Sequence, residues 1–440
     1  MTSQPGTQPA TSPPAPTRSR WRRALRFDPN SLAFHHDFRQ LWFGDAVSQL
    51  GVQLTMLALP VLAVRVLDAT PFQMGLLTAF EMAAFLLVGL PAGAWVDRWR
   101  KKRVLMLGDA VRGALLLTLP AAYVLDMLTM TQLFLVAFGV GTATVFFDVA
   151  YQSYLPDLVP SERIAEGNAK LQAVQSVSQV AGPALGGGLI RLIGAPFTIA
   201  STAICMIASV TFVWRIRHTE SPPARADRRP LRTEIAEGLS FVLKHPLLVR
   251  ITACTALSNF FSAMTASLLV LYVLRVLGLN ETVIGLVMSA GSVGGLIAAV
   301  VAARLALWIG EGRIIPLSIL AGAPFAALAP LASVLPSIPA LAVGSFGISF
   351  TVVVYNVTQV SFRQRVCPKP LLGRMNASVR CIVWGTMPLG GLVAGVLGSR
   401  LGVVPTLWVA AAGAAVAAAP VLFSPLIGMR QLPQGLDQHA

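Results

Sequence analysis

Twelve stretches of largely apolar residues constrain this chain more than any other feature. They fall at about 41–64, 72–96, 104–125, 132–150, 171–190 and 196–214, and again at about 251–274, 283–303, 314–333, 339–361, 381–399 and 403–423. An α-helix rises about 1.5 Å per residue, so runs of roughly 20 residues match the ~30 Å hydrocarbon thickness of a bilayer. Inside hydrocarbon each backbone N–H and C=O must be satisfied by the protein itself, and a continuous apolar run of this length does so as a helix. The twelve runs occupy most of the 440 residues and leave no room for a large separate domain. Composition closes the alternative: 12% charged residues is about half of what a soluble protein carries. The expected fold is an all-α membrane protein with twelve transmembrane helices.

The formal charge of +15 would suggest nucleic acid as a partner of a soluble chain, but its distribution says otherwise. With alternating spans, only Arg65, Arg191, Arg275 and Arg400 fall on the side opposite the termini, and Arg112 falls inside span three. All other Lys and Arg lie on the side of the termini. By the positive-inside rule that side is the cytoplasm, so both termini are expected there, in a multi-pass protein of the inner (cytoplasmic) membrane. The basic excess is a topology signal and implies no nucleic acid.

Residues 1–17 are rich in Pro, Thr, Ser and Gln, which predicts a disordered tail. They lack the pattern of a cleaved signal peptide, so the first span is expected to act as the insertion signal. The expected organisation is a disordered and basic segment 1–37, a six-helix bundle 38–214, a linker 215–247, a second six-helix bundle 248–424 and a tail 425–440. The cysteines (Cys205, Cys254, Cys367 and Cys381) have neither metal-ligand spacing nor a disulfide framework. No metal or cofactor is expected.

The two sets of six runs repeat each other. VRVLDATPFQMGLL (64–77) aligns with LRVLGLNETVIGLV (274–287), placing Arg65 over Arg275 and Gly75 over Gly285 at an offset of 210 (275 − 65). Farther along, Asn168-Ala169 aligns with Asn376-Ala377 and Gly194 with Gly402, at an offset of 208 (376 − 168). A nearly constant offset over two separate stretches indicates duplication, hence two pseudo-symmetric six-helix halves. Parallel six-span repeats are the construction of major facilitator transporters.

The segment GAWVDRWRKK (93–102) resembles the major facilitator signature G-x-x-x-D-R-x-G-R-R/K at Gly93, Asp97, Arg98, Arg100, Lys101 and Lys102, with Trp99-Arg100 where the signature has an aromatic–glycine pair. The resemblance implies that Asp97 sits at the N-terminus of a facing helix, where the macrodipole favours a carboxylate. It also implies a cytoplasmic latch, with Asp148 as partner of Arg98 or Arg100 and with Asp109 and Arg112 neutralising each other at i, i+3 spacing. GPALGG (182–187) resembles the G-P-x-x-G-G motif of drug/proton antiporters, at Gly182, Pro183, Gly186 and Gly187. FRQLWFGDAVSQLG (38–51) is similar to the start of the branch containing enterobactin exporters and macrolide efflux proteins.

Carboxylates inside a membrane are costly and normally serve a function. Glu81 lies nine residues past Phe72, about 14 Å along a helix and therefore near mid-bilayer. Asp45 shares a helical face with Gln49 and Gln53. Glu81 and Asp45 are the candidates for proton coupling, because a buried carboxyl can exchange a proton for a substrate. The cavity is expected between spans one, four, seven and ten, with Gln49, Gln53, Asn259, Tyr355, Asn356 and Gln359 as candidate lining residues and few charges deep in the spans.

No G-x-x-x-x-G-K-S/T phosphate loop, H-E-x-x-H pair or paired-acid constellation appears, so neither an enzyme nor an ATP-driven pump is expected. The sequence therefore points to a monomeric secondary transporter, driven by the proton motive force and exporting an amphipathic small molecule such as a drug, natural product or siderophore. A proton-coupled or passive importer is the alternative, with a non-transporting sensor or lipid scramblase behind it.

Overall fold

The structure is a computed structural model describing residues 31–96, 98–220, 231–368 and 371–430. The first half contains span one (His36–Arg65), span two (Pro71–Val96), span three (Lys101–Val124), span four (Met130–Leu158), span five (Ile164–Ile193) and span six (Ala195–Trp214). The second contains span seven (Pro246–Leu271), span eight (Glu281–Ile309), span nine (Ile314–Leu331), span ten (Ser337–Val366), span eleven (Leu372–Leu401) and span twelve (Val403–Val416, continued by Ala419–Leu422). A further helix, Leu231–Lys244, lies between the halves in sequence and packs on spans seven and eleven. Among the described residues there is no strand. The expected disordered tail at residues 1–17 and the residues beyond 430 lie outside the described residues.

Among the described residues, eleven helices are long and apolar enough to cross a membrane. Span five has full length but is diluted by Gln172, Gln175, Gln179 and its glycine–proline stretch. It is nonetheless packed between span one of its own half and span eight of the other, while Gln172 and Gln179 stay exposed. The helices also outrun the apolar runs: span four continues to Leu158, span ten to Val366, and span eleven starts at Leu372. A helix need not end where hydrophobicity ends if its extension packs on other helices, and this moves several residues from presumed loops into the bundle.

The duplication is visible in the packing. In the first half span one packs on spans five and six, span three on four and six, and span two on four. In the second half span seven packs on eleven and twelve, span nine on ten and twelve, and span eight on ten. The halves meet where span two lies on span eleven and span five on span eight, two contacts related by the same pseudo-symmetry.

Turns repeat as well. Gly194 and Gly402 join spans five to six and eleven to twelve with φ of 84° and 92°, a left-handed conformation that glycine adopts without steric cost. Local caps finish the ends: Thr129 and Asn280 accept from the amides of Gln132 and Val283 at 3.3 and 3.2 Å. His245 caps span seven through its ring Nδ1, which accepts from Leu247 and Leu248. Burial holds the His245 imidazole below its ordinary range, which favours the neutral form able to accept.

Candidate functional site

The end of the bundle opposite the termini, called the far end below, is closed by residues of both halves. Arg65 Nε donates to Glu281 Oε1 at 2.6 Å. Its repeat mate Arg275 reaches the other way, donating to Asp68 and to the carbonyls of Ala69 and Val64 at 2.8 and 3.1 Å. Arg275 stands in a single π-helical turn, Tyr272–Val276, that ends span seven; such turns often occur at functional sites. Beneath these pairs the helices touch backbone to backbone. A Cβ at Gly75 would fall 2.3 Å from the Gly391 carbonyl oxygen, and one at Gly285 would fall 2.2 Å from that of Pro183. Any side chain at either position overlaps backbone, so both positions must be glycine for the far end to close.

These contacts give the antiporter-like motif a location. Gly187 faces the backbone of Glu281 and Thr282, and Pro183 faces Gly285, so one face of the motif forms the span five–span eight seam. Gly182 and Gly186 face inward to Gln53 and to Leu54 and Leu57 of span one. Gln53 is thus packed against span five rather than set in a cavity wall.

Inside the first half, Asp109 and Arg112 form an ion pair, with both side chains almost fully buried. Ser48 donates to Asp109 at 3.2 Å, and the Arg112 guanidinium lies 4.3 Å from the Phe147 ring centroid. Removing one partner of a buried pair strands the other charge and costs roughly 3–5 kcal/mol. Asp45 is buried, accepts from Gln49 Nε2 at 3.4 Å, and lies within electrostatic reach of Asp109 and Asp148. Gln49 therefore serves Asp45.

Glu81 faces a pocket of about 190 Å³ between spans one, two, three, four and six, whose wall is otherwise largely apolar and includes Met56, Met82, Phe85 and Arg112. It has no hydrogen bond or ion pair among the described residues. The second half holds a matching pocket of about 240 Å³. Thr55 and Leu59 correspond to Thr265 and Leu269 at the offset of 210, and Thr144 and Met206 to Val352 and Ala414 at 208. Arg112 corresponds to Gly322, and Glu81 to Gly291, which packs against Ser345 and Ser349. The fold repeats the pocket, and only the first-half copy carries charge.

A third cavity, of about 650 Å³, lies between the halves toward the end with the termini. Asn259, Asn356 and Gln359 line it, together with Met82 and Phe85 of span two. Its walls come from spans two, seven, ten and eleven, not from one, four, seven and ten as expected, because the span two–span eleven contact brings both helices to the centre. Tyr355 is absent from the wall. It is buried in the second half, with its hydroxyl 2.7 Å from Thr255 Oγ1 and donating to the Ile251 carbonyl at 3.2 Å.

Sequence reasoning also missed Arg363, Arg380 and Trp384 in this wall. The apolar runs stop at 361 and resume at 381, which puts both arginines in a loop, whereas the structure sets them within spans ten and eleven. The signal was present: adding the offset of 208 to Ile164, where span five begins, puts the start of span eleven at Leu372. That places Arg380 two turns inside the helix.

At the end with the termini, Lys101 Nζ donates to Asp157 Oδ2 and to the Ser153 carbonyl at 2.6 and 2.9 Å. The Glu220 carboxylate accepts from the backbone amides of both Lys101 and Lys102 at 2.6 Å, compensating the unpaired donors of a helix start. The basic cluster is thus tied within its own half. Arg98 and Arg100 are exposed, and Asp148 pairs with neither: it lies ten residues before the end of span four, facing Arg112 and Arg380. Asp97 and the surroundings of Gly93 lie outside the described residues.

Comparison with known proteins follows the same outline. The family profile described as Major Facilitator Superfamily matches residues 41–388. The multidrug efflux pump Tap of Mycolicibacterium fortuitum is 25% identical over 335 residues, covering 72% of this chain and 78% of that protein. The enterobactin exporter EntS of Escherichia coli O127:H6 is 25% identical over 377 residues, covering 82% and 86%. Among solved structures, the nucleoside transporter NupG (a D323A mutant) superposes with a TM-score of 0.74 at 12% identity, covering 88% of this chain and all of that one.

Proposed function

This chain belongs to the Major Facilitator Superfamily and is a multi-pass membrane transporter rather than an enzyme, and from that premise we propose that it exports an amphipathic small molecule in exchange for protons. The observation that carries the proposal is Glu81, a carboxylate without a partner among the described residues, facing an apolar pocket whose repeat mate is uncharged. An ionised carboxyl in such a place is costly unless water or a counter-charge joins it. Proton loss and gain at Glu81 are therefore sensitive to what occupies the pocket and to which end of the bundle is open. Met82 and Phe85 line both the Glu81 pocket and the central cavity. A substrate in the cavity thus touches the wall behind which the proton is held.

In this reading the end with the termini is cytoplasmic, the far end faces outward, and the arrangement described here is the inward-facing one that loads substrate from the cell. The likeness to Tap and EntS supports export, and the lopsided distribution of basic residues supports the orientation. The transporter works as a monomer in the cell membrane, with no cofactor beyond the proton gradient.

Two measurements test this. In proteoliposomes, an imposed pH gradient should drive accumulation of an amphipathic dye against its own gradient, and a protonophore should abolish it. Accumulation indifferent to the pH gradient would sink proton antiport. For orientation, an Asp68→Cys variant in whole cells should react with an impermeant maleimide added outside, since the Asp68 side chain is 94% exposed at the far end. Reaction only after the cytoplasmic side is opened would invert the topology.

A further inference from the structure

The wall of the central cavity contains two guanidinium groups, Arg363 and Arg380, and no carboxylate. Neither arginine has a hydrogen bond or ion pair from its side chain among the described residues, and Arg363 Nε is buried without a partner. Arg380 lies 4.6 Å from the centroid of Trp384, whose ring in turn stands 5.0 Å from that of Phe85 across the seam between the halves. Asn356, Gln359 and Asn376 add amide groups, and the Gln359 carbonyl oxygen is itself buried without a partner.

Arg363 is half-buried and Arg380 is exposed, and with both guanidinium groups in one wall that holds no carboxylate, an anion entering the cavity meets two unopposed positive charges. A guanidinium matches the oxygens of a carboxylate, sulfonate or phosphate through paired N–H donors, whereas the same wall repels a cation. Asp148 of span four lies within electrostatic reach of Arg380 but forms no ion pair with it among the described residues. The volume suits a drug-sized molecule.

Resting on the transport reading above, we propose that the central cavity takes an amphipathic organic oxyanion, its anionic group on Arg363 and Arg380 and its aromatic body against Phe85 and Trp384. Glu81 lies behind the Met82–Phe85 wall, so the substrate's negative charge and the proton carrier occupy different chambers. Protons and substrate then compete through the shared wall and the conformational cycle rather than for one carboxylate.

The test is binding to the purified full-length protein in lipid nanodiscs, using three probes with a naphthalene ring: dansyl sulfonate, neutral dansyl amide and a naphthyl quaternary ammonium. The sulfonate should bind best and weaken with added salt. Arg363→Gln and Arg380→Gln should each weaken sulfonate binding by roughly 10–100-fold, the worth of a hydrogen bond to a charged group, with the amide little changed. Arg380→Lys should recover part of the loss, and Asp148→Asn should not remove binding. Equal binding of sulfonate and ammonium, or well-folded Arg→Gln variants that bind sulfonate normally, would overturn the proposal. Binding is read without a gradient: loss of proton-driven transport with anion selectivity intact counts against the antiport reading alone, and coupled transport without anion selectivity counts against this one.

Discussion

Replacing Glu81 with Gln is expected to abolish uphill export driven by a pH gradient while leaving substrate binding and gradient-independent exchange in place. Glutamine keeps the size and polarity of a protonated carboxyl but cannot release the proton. The pocket around Glu81 offers no hydrogen-bond partner among the described residues whose loss would unfold the half, so amount and monodispersity should remain close to those of the parent. Asp45→Asn is the comparison. Asp45 is buried among Gln49, Asp109 and Asp148, so its substitution tests a second carboxyl in a polar rather than an apolar setting. Proton-driven export that survives in Glu81→Gln and fails in Asp45→Asn would move the coupling role to span one. Survival in both would remove either residue as the essential carrier.

The second large effect is expected at the seam of the far end. Gly285→Leu would drive a side chain into the Pro183 carbonyl, where even a Cβ lies at 2.2 Å. Overpacking of this kind costs roughly 1–3 kcal/mol, and a destabilisation of that size shifts a two-state equilibrium by about 5–150-fold. The cost falls on the far-end-closed state, because the contact crosses the two halves and is released when they part. Transport should drop by a similar factor with the protein still inserted. The readout that separates gating from misfolding is Ala69→Cys, fully buried beneath Arg275 in the closed state. It should react with external maleimide faster in Gly285→Leu than in the parent. Gly75→Leu, its repeat mate against Gly391, should act alike. Unchanged transport and unchanged labelling in both variants would show that this seam does not set the conformational balance.

The glycines illustrate why part of the site was legible in the sequence and part was not. Gly182, Pro183, Gly186 and Gly187 stand out along the chain as a run that strips a helix face, but the identity of the facing helix is not encoded locally. The repeat supplied Gly75 and Gly285 as equivalent positions without indicating that each closes on the other half. Glu81 was singled out from its depth, a quantity the helical rise fixes. Whether it faces a pocket, lipid or a neighbouring arginine depends on helix rotation, which mean hydropathy does not constrain. Arg363 and Arg380 were misplaced for a related reason: apolar runs report the hydrocarbon-matched part of a helix, and these helices continue beyond it within the bundle.

What the sequence by itself determined were the properties written in one dimension. They are the all-helical membrane class, from the length and spacing of apolar runs, the two-fold duplication, from a constant offset, and the family, from motifs of fixed spacing. Tertiary structure alone decided which residues meet across the halves: Arg65 with Glu281, Arg275 with Asp68, Gly75 with Gly391, and the two arginines with Trp384 around one cavity. Such meetings depend on the rotation and pairing of helices separated by as many as about 300 residues (391 − 75). Those are set by close packing of small residues and by the sum of many weak contacts, neither of which leaves a local signature in the chain.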